Sequence, residues 1–111
     1  SKRIGAEGWE ISYTQIKSGY KFVYLDACFS SLKNYFAKAF LGSEKERKAF
    51  VGWNVRVLQC DSASFNRYFW PQIGRMTILD AVLVARSTAL SNYRTSCNPG
   101  FYGDASYSGR A

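Results

Sequence analysis

The strongest constraint on this chain is an ordered pattern within residues 20–53: an apolar run, a helical stripe, then a second apolar run. Residues 20–27 read Tyr-Lys-Phe-Val-Tyr-Leu-Asp-Ala. A short run rich in aromatic and β-forming residues predicts a strand buried on both faces, as in a parallel sheet. Ser30 or Ser31 then offers a helix N-cap. Leu32, Tyr35, Phe36, Ala39 and Phe40 follow at helical spacing and predict one apolar stripe, which Gly42 is placed to stop. Residues 49–53, Ala-Phe-Val-Gly-Trp, predict the second buried strand. The whole span is close to the roughly 30 residues that a strand–helix–strand unit needs. Such a crossover makes its two strands parallel.

The rest of the chain extends this α/β pattern. Asp61, Ser62 or Ser64 can cap a helix carrying Phe65, Tyr68 and Phe69. Pro71 ends or kinks it, because an interior proline costs about 3 kcal/mol. Thr77 and Asp80 resemble a capping box with Asp in place of Glu. Ile78, Ala81, Val82, Ala85 and Ala89 form the next helical stripe. Residues 91–100 read as a polar loop, and residues 101–107 as a last short strand. Glycines and prolines mark no internal boundary, so residues 1–111 are expected to form a single domain.

Composition narrows the function classes. An apolar fraction of 47% with 21% charged residues argues against a disordered chain. No apolar run reaches the roughly 18 residues of a membrane span. Residues 1–8 are not followed by the apolar core of a signal peptide, so no cellular address is readable. Fifteen basic and eight acidic residues give a net charge of +7. A basic chain attracts nucleic acid, anionic membrane or acidic partners. Here the charges are scattered, and the one dense stretch, residues 44–48, mixes both signs. It reads as a solvated loop, so a nucleic-acid-binding domain is the least supported alternative. There is no phosphate-binding glycine loop.

The sequence contains no histidine. Within these residues there is therefore no Ser–His or Cys–His dyad and no histidine metal site. The three cysteines, Cys28, Cys60 and Cys97, form no C-x-x-C pair, and no metal or other cofactor is implied. The spacing leaves a Cys60–Cys97 disulfide open. Cys28 stands out by position, since it falls after the first strand and before the first helix. Ligands of open parallel sheets bind beyond the carboxyl ends of the strands. A thiol at a helix N-terminus is also more readily ionised.

The residues around Cys28 carry a resemblance. Val23-Tyr24-Leu25-Asp26-Ala27-Cys28-Phe29-Ser30 resembles the nucleophile segment of the caspase-like cysteine peptidases. These include caspases, metacaspases, legumain, separase, clostripain, gingipains and the CHAT peptidases. Their members end a buried strand with a D-x-C-type motif. Downstream, Ala49-Phe50-Val51-Gly52-Trp53 looks like the next core strand of the gingipain- and CHAT-like branches. Phe69-Trp70-Pro71-Gln72-Ile73-Gly74, followed by Thr77-Ile78-Leu79-Asp80-Ala81, resembles their aromatic helix end and the helix after it. Tyr102-Gly103-Asp104 resembles their closing segment. The resemblance covers most of residues 20–107, in the expected order.

It implies a partial caspase-like three-layer sandwich, α/β, with a mainly parallel sheet flanked by helices. It implies a cysteine endopeptidase with Cys28 as nucleophile, acting on a peptide or protein substrate. In such enzymes the cysteine attacks a peptide carbonyl and forms a thioester, while a histidine protonates the leaving amine and later activates water. The resemblance carries a specificity role onto Asp26, since a buried carboxylate pairs well with a basic P1 side chain. Trp53, Asn54 and Arg56 are candidates to line the substrate groove. Arg56 is also a rival clue to acidic P1 residues, although an alternating strand would turn it to solvent. Asp104 reads as a turn or strand-end residue rather than a catalytic one.

The pattern departs from the family in one respect. The dyad histidine of caspases lies about 50 residues before the cysteine, and only 27 residues precede Cys28. The resemblance therefore implies that an upstream segment or a second chain supplies the histidine, and that residues 1–111 alone are inactive. The competing expectation is a non-catalytic pseudo-peptidase that serves as a binding or scaffold domain.

Overall fold

The computed structural model describes residues 3–6, 9–12, 19–27, 29–54, 62–93 and 98–109. Two short strands, β1 (Arg3–Ala6) and β2 (Trp9–Ser12), pair antiparallel with Ile4 opposite Ile11. The sequence pattern predicted no element there, because each strand is only four residues long. A second sheet follows, built from β3 (Phe22–Tyr24), β4 (Ala49–Trp53) and β5 (Pro99–Gly103), in the order β3-β4-β5. The helices are α1 (Tyr35–Leu41), α2 (Ser62–Phe69) and α3 (Ile78–Tyr93).

The strand–helix–strand unit forms as the pattern predicts. β3 and β4 are parallel, with Val23 opposite Phe50, and α1 lies between them in the chain. The last strand corrects the expectation of a mainly parallel sheet. β5 pairs with β4 antiparallel, Val51 opposite Phe101, so the sheet is mixed. A strand this short carries no directional signal in its sequence, so its direction is set only when it meets β4. The strand also sits earlier than residues 101–107, and α3 extends into the stretch read as a loop.

Side chains alternate along β4 with the period of two that a strand imposes. Ala49, Val51 and Trp53 face a core with Phe65 and Phe69 of α2 and Ile78, Ala81, Val82 and Ala85 of α3. Phe50 faces the other way, against Phe36, Ala37 and Leu41 of α1. Both faces of the sheet are therefore covered by helices. Every residue of β4 is buried, as expected of a central strand. Residues of β3 are only half-buried, which corrects the prediction of a doubly buried strand. Among the described residues β3 is an edge strand, and edge position removes cover that its composition cannot reveal.

Aromatic packing dominates the larger core. Phe65 and Phe69 stack one helical turn apart at 5.3 Å, and Trp53 meets Phe65 edge-on at 5.1 Å. Tyr24 packs against Trp70 at 5.5 Å and Phe69 at 5.4 Å. Such pairs contribute about 0.5–1.5 kcal/mol each beyond area burial. α2 ends where Pro71 enters a 3-10 turn over Trp70–Gln72. The Thr77 hydroxyl accepts the Asp80 N–H at 3.1 Å, so the cap predicted for α3 forms on that side. All five residues of its predicted stripe are buried.

α1 departs from its pattern. Neither Ser30 nor Ser31 caps it. The chain passes through a 3-10 turn, Leu32–Asn34, in which Lys33 and Asn34 adopt left-handed φ values of 59° and 60°. The helix proper starts at Tyr35 and buries Phe36, Ala37 and Leu41. Tyr35, Ala39 and Phe40 are half-buried. The buried positions of the helix are thus Phe36, Ala37 and Leu41 rather than the full predicted stripe. Gly42 does end the helix, at φ 84°, with its N–H on the Lys38 carbonyl.

Candidate functional site

The chain leaves β3 toward α1 at the carboxyl end of the parallel pair. Leu25 N–H continues the pairing by bonding Val51 O at 2.8 Å. The turn then closes on itself: Ala27 N–H bonds Leu25 O, and Ser30 N–H bonds Ala27 O at 3.2 Å. Phe29 takes a left-handed φ of 56° and is 38% exposed. A bulky residue rarely holds that conformation, so the surrounding bonds must enforce it.

Ser30 supplies much of that enforcement. It is fully buried. Its hydroxyl donates to Leu25 O at 3.0 Å and accepts the Trp53 N–H at 3.0 Å. Ser31 N–H bonds Trp53 O at 3.1 Å, and its hydroxyl donates to Asn54 Oδ1 at 2.6 Å. Asn54 N–H in turn bonds Asn98 O at 3.0 Å. Close approach of this turn to β4 depends on Gly52. A Cβ there would lie 2.6 Å from Ser30 Oγ and 3.1 Å from Ser31 N. The sequence offered Ser30 and Ser31 as helix caps, so their tertiary role was missed; the nearest signal was a glycine inside a buried strand, which marks close backbone approach.

The expected site residues meet four different outcomes. Cys28 and Arg56 lie outside the described residues, as do Cys60 and Cys97. Asn54 is half-buried beside Ser31. Asp26 is exposed, which corrects the expectation of a buried carboxylate. Trp53, expected in a substrate groove, has its side chain fully buried in the core between Tyr24 and Phe65. Its ring points to the inner face of the strand, where period-two alternation puts every second side chain. Only its backbone reaches the turn.

Tyr24 is the last residue of β3, just before the chain enters this turn. Its hydroxyl is buried with no hydrogen-bond partner, and so is Trp53 Nε1. Burial raises the Tyr24 pKa well above the ordinary phenol range. The negative charge of Asp26 adds to the rise, and the neighbouring Trp53 indole opposes it. The phenol is therefore neutral at any physiological pH.

Among the described residues no group of three or more His, Cys, Asp or Glu is placed to hold a metal ion. No described helix is long and apolar enough to cross a membrane. What the fold and the site define is an α/β domain with a mixed three-stranded sheet and a pinned strand-to-helix turn at the end of its parallel pair. Compared with protein-family models, curated proteins and solved structures, the chain finds no match.

Proposed function

We propose that this chain is the nucleophile-bearing portion of a caspase-like cysteine endopeptidase. Cys28 is the nucleophile, and the dyad histidine comes from an upstream segment or a second chain. The observation that carries the reading is the turn itself. Residues 25–27 and 29–31 leave the carboxyl end of the β3–β4 pair, and Ser30 and Ser31 hold them against the end of β4. Position 28 falls between these residues in sequence, and α/β sheets bind their ligands beyond the carboxyl ends of their strands.

Two further observations support it. Of the segments that carry the resemblance, residues 49–53 and 102–103 meet in one sheet, and Phe69, Ile78 and Ala81 pack on it from the ends of α2 and α3. The outer edge of β3 has no partner strand among the described residues. A histidine-bearing segment can add there as an extended strand, satisfying the free backbone groups of the edge.

In this reading the Cys28 thiolate attacks the scissile carbonyl, and the C–N bond breaks as the histidine protonates the amine. The thioester is then hydrolysed by water that the same histidine activates. The exposed Asp26 carboxylate offers a pairing partner for a basic P1 side chain. The lack of any histidine in these 111 residues favours one second reading, a non-catalytic binding domain on the same scaffold.

Thiol reactivity separates the two. The complete protein, with the segment or second chain that supplies the histidine, is treated with iodoacetamide, and the alkylation of each cysteine is followed by peptide mass mapping. A nucleophile gives Cys28 a rate at least about tenfold above Cys60 and Cys97 at neutral pH, as a lowered thiol pKa requires. Equal rates would leave the binding-domain reading. Hydrolysis of lysyl or arginyl peptide amides by the isolated chain, lost in Cys28→Ala, would overturn the need for an outside histidine.

A further inference from the structure

The two outer edges of the three-stranded sheet are built differently. A strand directs the backbone groups of successive residues to opposite edges. Lys21 O accepts the Ala49 N–H, and Leu25 N–H bonds Val51 O, both at 2.8 Å. Odd-numbered residues of this segment therefore face β4, and the N–H and C=O groups of Phe22 and Tyr24 point away from it. Among the described residues nothing pairs with them. On β5, Asn98 O accepts the Asn54 N–H and Asp104 N–H bonds Lys48 O. The outward positions of β5 are therefore Pro99, Phe101 and Gly103. Pro99 has no N–H to offer, and Gly103 takes a φ of 133°. Proline and irregular backbone are means by which sheet edges resist pairing. The β3 edge has neither: residues 20–25 contain no proline or glycine and a single charge, Lys21.

Aromatic side chains flank this open edge. Trp70 packs against Phe22 at 6.0 Å and stacks on Tyr24 at 5.5 Å, yet it is 49% exposed. Tyr20 meets Phe40 edge-on at 6.0 Å and is 50% exposed. The two ends of the segment carry opposite charges. Lys21 and Asp26 are both exposed, and neither forms an ion pair among the described residues.

We infer that the β3 edge pairs with the β3 edge of a second copy of this chain, antiparallel about a two-fold axis at Val23. Phe22 of each copy then lies opposite Tyr24 of the other. Each such pair exchanges two N–H···O bonds, so every outward group of both residues is used. Phe22, Tyr24 and Trp70 of both copies share one face of the joined sheet and cover one another. Lys21 of one copy lies opposite Leu25 of the other, beside its Asp26, and the two-fold repeats this at the far end. The net charge of +7 on each copy opposes association. At 0.15 M salt, charges more than about 8 Å apart are largely screened, while adjacent opposite charges still attract. The pairing does not rest on the peptidase reading. Under that reading it occupies the edge at which the histidine-bearing segment adds, so the pair and the assembled dyad exclude each other.

The test is analytical sedimentation of residues 1–111 over about 5–500 μM, since a short edge makes a weak interface. The salt is held at about 0.15 M. The expected result is a monomer–dimer equilibrium. The Phe22 and Tyr24 amides should be protected from hydrogen exchange at the highest concentration and released on dilution. Lys21→Glu and Asp26→Lys alter exposed side chains, so the fold is retained. Each should weaken the dimer at least about threefold, the scale of two exposed ion pairs, and the Lys21→Glu/Asp26→Lys chain should regain the parent affinity. A monomer throughout the range would overturn the proposal. So would a dimer in which those two amides exchange freely, single reversals that leave the affinity unchanged, or a double variant that stays as weak as the singles.

Discussion

The Ser30 hydroxyl accepts the backbone N–H of Trp53 at 3.0 Å while donating to Leu25 O at the same distance. One buried side chain therefore ties the exit of β3 to the last residue of β4. The left-handed Phe29 lies inside that tie. The arrangement needs both a hydroxyl at position 30 and bare backbone at position 52.

Ser30→Ala leaves the buried Trp53 N–H without its acceptor, a cost of about 1–3 kcal/mol. Gly52→Ala forces a Cβ against Ser30 Oγ and against a Phe50 ring carbon at 2.9 Å. Overpacking of this kind costs about 1–3 kcal/mol. Removing the hydroxyl relieves the closest of these contacts. Urea denaturation of the double variant should therefore show a loss smaller than the sum of the singles by about 0.5 kcal/mol or more. Strict additivity would mean that the two positions do not oppose each other.

Asp104 gives a pH dependence with a definite sign. Its carboxylate accepts Ser106 Oγ–H at 2.6 Å, Ser106 N–H at 2.9 Å and Arg47 N–H at 2.9 Å. Hydrogen bonds from Ser106, then from Arg47, hold its pKa below the ordinary carboxylate range. A lowered folded pKa contributes stability above the unfolded value, about 3.9, and that stability is lost as pH falls through the folded value. Asp104→Asn should be less stable than the parent at pH 7, and the gap should narrow below about pH 4. Denaturation midpoints that stay equally far apart from pH 7 to pH 3 would contradict this origin.

Tyr24 acts at the other end of the scale. Its raised pKa means that the unfolded chain releases the phenol proton first, above about pH 10. Stability from this group is present below that pH and declines as pH rises beyond it. The hydroxyl has no hydrogen-bond partner, so Tyr24→Phe should be close to neutral at pH 7, within about 1 kcal/mol. It should also flatten the alkaline loss of stability. A loss well above 1 kcal/mol at pH 7 would show that the hydroxyl is bonded.

Much of the architecture was legible because apolar periodicity is local. The stripe Ile78, Ala81, Val82, Ala85 and Ala89 and the run 49–53 stated which sides must be buried, and burial followed. Thr77 and Asp80 marked the start of α3, and Pro71 marked the end of α2, since caps and breakers act within a few residues. The site was less legible. Asp26 was expected to be buried and is exposed; Trp53 was expected in a groove and lies in the core. Composition cannot tell an inward strand position from an outward one until the register is set.

The sequence by itself determined that β3, α1 and β4 form a strand–helix–strand unit, and that no dyad histidine is present among residues 1–111. Only the tertiary structure decided that β5 runs antiparallel, that β3 stands at the described edge, and that Ser30 bonds the end of β4 instead of capping a helix. The difference is physical. Side-chain periodicity fixes what each segment must bury. Strand direction, edge position and the partners of a buried hydroxyl arise only when segments distant in sequence meet.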